Sequence, residues 1–247
     1  MNARRNLLIA GIFLLATFPA LADVIVLNFE NIAPYPNSSS TNPVAIENYY
    51  NGGTSSIGTS GTNYGVYFNS NALVVCLNTA GVVCSDTSRG GLGDPNSQEG
   101  GLLTYAGDQI VVNDPAGFTN GFSFFYTTAV TSGQSANIYS GLDGTGTMLG
   151  TISLGSTPWD GCGPPYNQTS VYCPFVPIGV SFTGTAESVV INEYDNTIVF
   201  DDLTLGSATP DPAPTPEPSS LAMLLAAVIA GSACLRKKLR LFGKVSV

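Results

Sequence analysis

The segment TIVFDDLTLG, residues 197–206, is a short run of β-branched, aromatic and leucine side chains that ends at a glycine. This composition is typical of a β-strand, in which side chains alternate between the two faces. Alternation predicts that Asp201 shares an apolar face with Val199 and Leu203. Asp202 is then predicted to point to the other face. Because a buried carboxylate needs a partner, the segment predicts a candidate site as well as a strand.

Ten further segments of the same kind lie between residues 23 and 206, separated by Gly, Asn, Pro and Asp, and no helical periodicity of useful length interrupts them. Eleven short strands predict an all-β domain, a two-sheet sandwich of the jelly-roll type. The ten segments are VIVLNFE, YGVYFNS, ALVVCLN, GLLTYAG, QIVVNDP, GFSFFYTT, SANIYSG, TMLGTISL, FVPIGVSFTG and ESVVINEY.

One of the predicted connections is a hairpin over residues 139–154, YSGLDGTGTMLGTISL. A tight connection between two strands needs residues that tolerate a positive φ angle. Asp143, Gly144 and Gly146 supply these positions, so we interpret this stretch as a structural turn.

The charge distribution limits the partners of the domain. All 17 acidic residues lie from Asp23 to Glu217, where Arg89 is the one basic residue, and this leaves a net charge of −16 in that region. Such a surface disfavours nucleic acids and acidic polysaccharides, because both are bound through Lys and Arg. Neutral sugars and metal cations remain plausible partners.

The chain contains no histidine, which excludes a Ser-His-Asp or Cys-His nucleophile and a His-ligated zinc. No lysine lies between the two termini, so Schiff-base catalysis in the domain is excluded as well. We therefore predict a protein that is not an enzyme. The alternative is a glycan-processing enzyme with two carboxylates, for which Glu30, Glu193 and Asp195 are the candidates.

The N-terminal segment MNARRNLLIAGIFLLATFPALA, residues 1–22, has the features of a secretory signal peptide. Arg4 and Arg5 precede a short apolar run, and Ala20 and Ala22 form an A-x-A cleavage pattern. The sequence therefore predicts export through the secretion machinery, with a mature chain that begins at Asp23.

The C-terminal segment, residues 219–247, contains an apolar run over residues 221–235 that predicts a short transmembrane helix. A basic cluster follows at once, and positive-inside logic places it in the cytoplasm with the acidic domain across the membrane. The cluster consists of Arg236, Lys237, Lys238 and Arg240.

A proline-rich linker, residues 207–218, precedes this helix and favours extended polyproline geometry. It ends in Pro216, Glu217 and Pro218. The order of this tripeptide, an apolar helix and a basic cluster resembles the PEP-CTERM sorting tail of exported proteins of Gram-negative bacteria. The resemblance implies that a membrane-embedded exosortase processes the tail after a transient stay in the inner membrane. The body would then reach the cell surface or the extracellular matrix. A permanently anchored structural spacer remains an alternative.

The domain itself is predicted to span residues 23–206 and to carry local disulfides. Cys76 and Cys84 bracket one turn, and Cys162 and Cys173 bracket another, so pairing within each set is the simplest of three connectivities. Cys234 lies in the predicted tail helix without a partner there.

The opening FE pair, the stretch YYNGGTSS and the closing FDDLTLG resemble the bodies of many PEP-CTERM proteins and, more loosely, carbohydrate-binding jelly rolls. This resemblance implies a calcium-stabilised sandwich with Glu30 and Asp201 at the matching positions. Oxygen ligands suit calcium, and carbonyl oxygens of residues 51–53 could complete the site. An Asp201 held by backbone amides alone is an equal alternative.

A neutral polysaccharide is the predicted ligand, with self-association as an alternative use of the surface. Sugar rings stack on exposed aromatic side chains, and three of these lie in or near the second cysteine loop. These possible stacking residues are Trp159, Tyr166 and Tyr172.

Overall fold

The computed structural model describes residues 24–32, 43–76, 100–104, 109–128, 133–157, 175–192 and 197–212. The predicted signal peptide, the Pro216–Glu217–Pro218 motif, the basic cluster and the three aromatic residues predicted to stack on sugars lie outside these residues. So do Glu193, Asp195 and the side chains of the four cysteines that are predicted to form two local disulfides. No helix in the described ranges is long and apolar enough to cross a membrane. Contacts group the chain into two units, Met1–Pro210 and Asp211–Val247, and the fold below belongs to the first.

The described residues form twelve strands and one short 3-10 turn, Leu142–Gly144. The first six strands are β1 (Ile25–Leu27), β2 (Val44–Ala45), β3 (Tyr67–Phe68), β4 (Leu73–Cys76), β5 (Gly100–Leu103) and β6 (Gln109–Phe118). The other six are β7 (Gly121–Thr128), β8 (Gln134–Tyr139), β9 (Met148–Leu154), β10 (Val176–Ser181), β11 (Ala186–Asn192) and β12 (Ile198–Leu205).

These strands form two antiparallel sheets, which confirms the predicted all-β, jelly-roll-like sandwich. Sheet A has the order β10-β7-β12-β5-β4-β2, and β1 also pairs with β12. Sheet B has the order β3-β6-β11-β8-β9. The two inner faces pack around large aromatic side chains, as in the contact of Phe118 from sheet B with Phe122 from sheet A, whose ring centroids are 6.3 Å apart.

The alternation predicted for the last strand is wrong, because β12 contains a bulge. The pairing with β7 runs from Asp201 opposite Phe125 to Thr204 opposite Ser123, so β12 holds one extra residue. Asp202 takes a positive φ of 46° at this point. Val199 consequently joins a small apolar cluster apart from the main core that contains Leu203.

Both aspartates of the bulge are buried, with Asp201 0% and Asp202 1% exposed. The Asp202 backbone N–H donates to the Asp201 Oδ1 atom at 2.8 Å. The bulge takes the Asp202 N–H out of the regular hydrogen bonding between strands, and this contact gives that N–H a partner.

The hairpin between β8 and β9 is confirmed. Asp143, Gly144 and Gly146 all have positive φ angles, of 54°, 72° and 78°. The connection does not project into solvent, however, since it folds back over the outer face of sheet B and contacts β6 and β11.

The end of the described domain is a short strap, residues 207–210, that crosses the outer face of sheet A. Gly121 and Gly179 make room for it, because a Cβ atom on either residue would collide with the backbone of Ala208. The Ser123 hydroxyl donates to the Ser207 carbonyl oxygen at 2.9 Å. Pro210 is buried, so the chain leaves the domain on this face.

Candidate functional site

The outer face of sheet B carries polar side chains around Val111 and Val190, and the two charged residues of its strands, Asp114 and Glu187, lie away from the end that holds Gln109 and Asn192. Alternation places apolar residues such as Val112, Ile138 and Ile191 in the core, and their neighbours along each strand point outward. We call the polar side chains among these outward residues, where they are partly or fully exposed, the polar face. It consists of Tyr67, Gln109, Ser135, Asn137, Tyr139, Thr151, Ser153 and Asn192.

Side-chain amides connect three neighbouring strands at one end of the polar face. The Gln109 Nε2 group donates to the Asn192 Oδ1 atom at 2.6 Å, and the Asn192 Nδ2 group donates to the Ser135 Oγ atom at 3.2 Å. Asn69 and Asn71 donate to the Gln109 carbonyl oxygen at 2.8 Å and 3.2 Å. These contacts fix the orientation of groups that can both donate and accept hydrogen bonds.

The folded-back connection, residues 140–147, borders the opposite end of the polar face. Asn113 holds it through two hydrogen bonds with Asp143, a 2.8 Å bond from its Nδ2 group and a 2.9 Å bond to its Oδ1 atom. The buried Ser188 hydroxyl donates to the Gly141 carbonyl oxygen and accepts from the Gly144 N–H. These hydrogen bonds hold the connection against sheet B, so residues 140–147 form one border of the polar face.

Several strands of both sheets begin or end at the same end of the sandwich, which we call the loop end. β7, β9 and β11 end there, and β6, β8 and β12 begin there, as their antiparallel registers show. The amide row at Gln109, Asn192 and Ser135 lies at this end. Trp159, Tyr166 and Tyr172 belong to the segment that follows Thr157 and precedes Phe175.

The predicted metal ligand Glu30 lies where β1 ends and β5 begins. One carboxylate oxygen of Glu30 accepts the Gly100 N–H at 3.0 Å. The Tyr49 hydroxyl donates to the Glu30 carbonyl oxygen at 3.2 Å, and the Tyr50 hydroxyl accepts the Phe29 N–H at 2.9 Å. Burial raises the pKa of Tyr49, and the nearby negative charge of Glu30 raises it further.

The strand pairing places the second predicted ligand, Asp201, near this junction in the sheet. β1 and β5 pair with the same edge of β12, with Leu27 opposite Leu203 and Leu102 opposite Phe200. The bulge at residues 201–202 lies between these two pairs. Residues 51–53, whose carbonyl oxygens were predicted to join the site, form part of a turn in which residues 51 and 52 are exposed.

Two observations test whether calcium fits this junction. All eight Lys and Arg residues lie outside the described ranges, so no described carboxylate pairs with a described basic side chain. The described ranges contain no group of three or more Asp, Glu, His or Cys that could hold a metal ion. A calcium ion here would thus need carbonyl oxygens or water beside Glu30 and Asp201, which is chemistry that calcium accepts.

Sequence reasoning missed the polar face. Gln109, Asn137 and Asn192 stand at outward positions of predicted strands, and such positions are polar in most sandwiches. Only the lateral register, which pairs Asn192 with both Gln109 and Ser135, shows that they form a continuous row.

Comparisons with known proteins concern the fold. No protein-family model and no curated protein matches the sequence. The chain is similar in structure to several solved carbohydrate-binding modules. The module CsCBM6-3 from Clostridium stercorarium in complex with cellobiose is 13% identical, with 57% of this chain and 86% of that chain covered and a TM-score of 0.31. The module CBM6cm-2 from Cellvibrio mixtus lichenase 5A in complex with cellotriose is 14% identical, with coverages of 56% and 87% and a TM-score of 0.31.

A third similar structure is the C-terminal CBM6 of LamC from Zobellia galactanivorans. It is 13% identical, with 55% of this chain and 99% of that chain covered and a TM-score of 0.29. At these identities the similarity describes the arrangement of strands alone.

Proposed function

We propose that the protein is an exported, non-enzymatic surface module that binds neutral polysaccharide through the polar face of sheet B. The observation that carries this proposal is the oriented row of Gln109, Asn192 and Ser135 at one end of the outer face of sheet B, a row made only of uncharged side chains. A sugar hydroxyl both donates and accepts hydrogen bonds, and amide and hydroxyl side chains offer the same pair of functions.

The rest of the face suits the same ligand. Tyr67 and Tyr139 are partly exposed and present ring surface beside polar tips, which is the combination that packs against a sugar ring. Because the domain is strongly acidic, an anionic polymer would be repelled, whereas a neutral one would not. This argument supports neutral polysaccharide over an acidic one.

The experiment is native affinity electrophoresis of the full-length protein in gels that contain hydroxyethyl cellulose, galactomannan or dextran. We expect retardation by at least one polymer. Asn137→Asp, which places a charge in the middle of the polar face, should reduce the retardation. Asn51→Asp adds the same charge in an exposed turn outside the polar face and should leave it unchanged. Equal retardation of both variants and the wild type would place the binding surface elsewhere.

The described residues add no observation in favour of the two-carboxylate enzyme. Glu30 is engaged with the Gly100 N–H at a strand junction, and Glu193 and Asp195 lie outside the described ranges. The proposal therefore has no catalytic step.

Export and sorting are the second part of the proposal. The signal peptide and the tail with Pro216, Glu217 and Pro218 support passage to the surface through an exosortase. Intact mass of the protein in fractions of its own host tests this. A mass that ends near Pro218 in surface or medium fractions is expected. A mass that keeps residues 221–247 in the inner membrane would instead favour a permanent anchor.

Calcium is the third part. Glu30 and Asp201 would hold the ion at the β1–β5–β12 junction, where it would offset buried negative charge and fix three strands together. Its role would be structural.

A further inference from the structure

Most of the described strands at the edges of the two sheets are short or blocked. β1, β2 and β3 have only two or three residues each. β10 is an edge strand of sheet A, but it contains Pro177, and the strap at residues 207–210 passes over its Gly179. Short strands, prolines and covering segments are devices that stop the edge of a sheet from pairing with another chain.

β9 is an edge strand of sheet B that lacks these protections. It has seven residues, MLGTISL, with no proline and no charged side chain. Among the described strands it pairs with β8 alone. A bulge at Leu149 disturbs only its first end, and residues 150–154 stay in register with β8. Alternate residues of this regular stretch direct their N–H and C=O groups away from β8, where a further strand can pair.

The side chains of this edge leave it open on the outside. Ile152 and Leu154 are buried in the main core, whereas Thr151 and Ser153 are exposed on the outer face. Val180 of β10 lies on the inner side, where a Cβ atom on Gly150 would be 3.5 Å from its Cγ1 atom. β10 therefore contacts β9 through a side chain on the core side and does not extend sheet B.

We propose that β9 pairs with β9 of a second copy of this chain, in antiparallel orientation about a two-fold axis next to Ile152. This axis is perpendicular to the sheet, because only that symmetry joins two identical edges side by side in antiparallel orientation. Thr151 then lies opposite Ser153 of the second copy, and hydroxyl side chains in such opposite positions can hydrogen-bond. The contact uses the same edge of both copies, so the assembly closes as a dimer.

The charge distribution favours a second copy as the occupant of this edge. The domain is strongly acidic and repels copies of itself over much of its surface, but β8 and β9 contribute no charged side chain. Asp143 lies in the connection before β9, and the two-fold axis places its two copies at opposite ends of the contact. A basic partner strand, in contrast, would find no carboxylate on β9 to pair with.

The dimer would enlarge the proposed binding surface. A two-fold axis perpendicular to the sheet leaves both polar faces on the same side, so sheet B continues from one copy into the other. One polysaccharide chain can then contact both faces, and two linked sites bind more tightly than one. This gain rests on the proposed function, whereas the dimer itself does not.

Sedimentation equilibrium of the full-length protein, without polysaccharide, tests the dimer. Detergent keeps the apolar segment at residues 221–235 in solution. We expect a monomer–dimer equilibrium for the wild type. The double variant Thr151→Glu/Ser153→Glu places like charges opposite each other in the contact and should weaken dimerisation about tenfold or more. Ser181→Glu/Thr183→Glu is the matched control, because it makes the same changes at exposed positions of β10 and the residues after it, and it should dimerise like the wild type.

Three results would overturn the proposal. A wild type that stays monomeric at all concentrations would leave the edge to a strand of another protein. Equal dimerisation of the wild type and Thr151→Glu/Ser153→Glu would place the contact elsewhere, and growth beyond the dimer would exclude the two-fold pairing. Circular dichroism checks that each variant is folded, and Ser153→Glu alone replaces the double variant if that does not fold. Failure of the polysaccharides to bind would leave these results unchanged, so the dimer and the proposed function fail separately.

Discussion

The Glu30 carboxylate accepts the backbone N–H of Gly100 at 3.0 Å, and this bond joins the end of the first strand to the start of the fifth. A Cβ atom on Gly100 would collide with the Phe29 carbonyl oxygen, so only glycine allows the two backbones to approach this closely. The β1–β5 junction thus depends on one residue without a side chain.

Gly100→Ala is expected to destabilise the protein by about 2 kcal/mol or more, because the backbone of β1 or β5 must shift to admit the methyl group. Denaturant unfolding monitored by circular dichroism measures the change. Gly155→Ala is the matched control, since a Cβ atom at Gly155 would meet nothing within 4 Å. Equal stability of the two variants would show that the junction opens at little cost.

Calcium is expected to raise the unfolding temperature by a few degrees, and EDTA is expected to reverse this, because a ligand that binds only the folded state stabilises it. Glu30→Gln and Asp201→Asn should each abolish the response. Glu47→Gln, which changes a carboxylate in an exposed turn, should retain it. If the wild type gives the same unfolding temperature in calcium and in EDTA, the junction is held by hydrogen bonds alone.

Asp114 predicts a dependence of stability on pH. Burial raises the pKa of its carboxyl group above 3.8, and the charge of Glu187 adds to this, whereas hydrogen bonds from the Ala116 and Gly117 N–H groups oppose it. The folded state therefore binds the proton more tightly than the unfolded state, and this contribution to stability is lost as the pH rises from 3.8 through the folded pKa.

Asp114→Asn should consequently be more stable than the wild type at pH 7, because Asn keeps the acceptor for the Ala116 N–H without the charge. The difference should shrink below pH 3.8. Unfolding temperatures across the pH range measure it, and Glu187→Gln should show a smaller difference of the same sign. A variant that is less stable at pH 7 would mean that the ionised carboxylate is needed there.

Ser188→Ala is expected to cost about 1–3 kcal/mol, because it removes both the donor to Gly141 and the acceptor of the Gly144 N–H under the folded-back connection. Amide hydrogen exchange should also become faster over residues 140–147. Ser153→Ala, an exposed change on the polar face, serves as the control. Unchanged exchange in Ser188→Ala would show that Asn113 holds the connection without help.

The fold was predictable because most of its strands, such as β7 and β9, are rich in β-branched and aromatic residues and are bounded by turn-forming residues. The candidate site was less predictable, because the pairing register between strands decides which side chains lie next to each other. One extra residue at Asp202 reverses the faces of β12, and no local signal marks that residue as the bulge. The burial of Gln134, the first residue of β8, could not be predicted either, since a glutamine that precedes a predicted strand gives no indication of which face it occupies.

The strap at residues 207–210 has a consequence for how the domain is displayed. It fixes the exit of the chain on the outside of sheet A, held by Ser123 and admitted by Gly121 and Gly179. The polar face lies on the outside of sheet B, with the thickness of the sandwich between them. Within the described domain, the exit of the chain and the proposed binding surface therefore lie on opposite sides of the sandwich, so a tether attached at the strap would not cover the polar face.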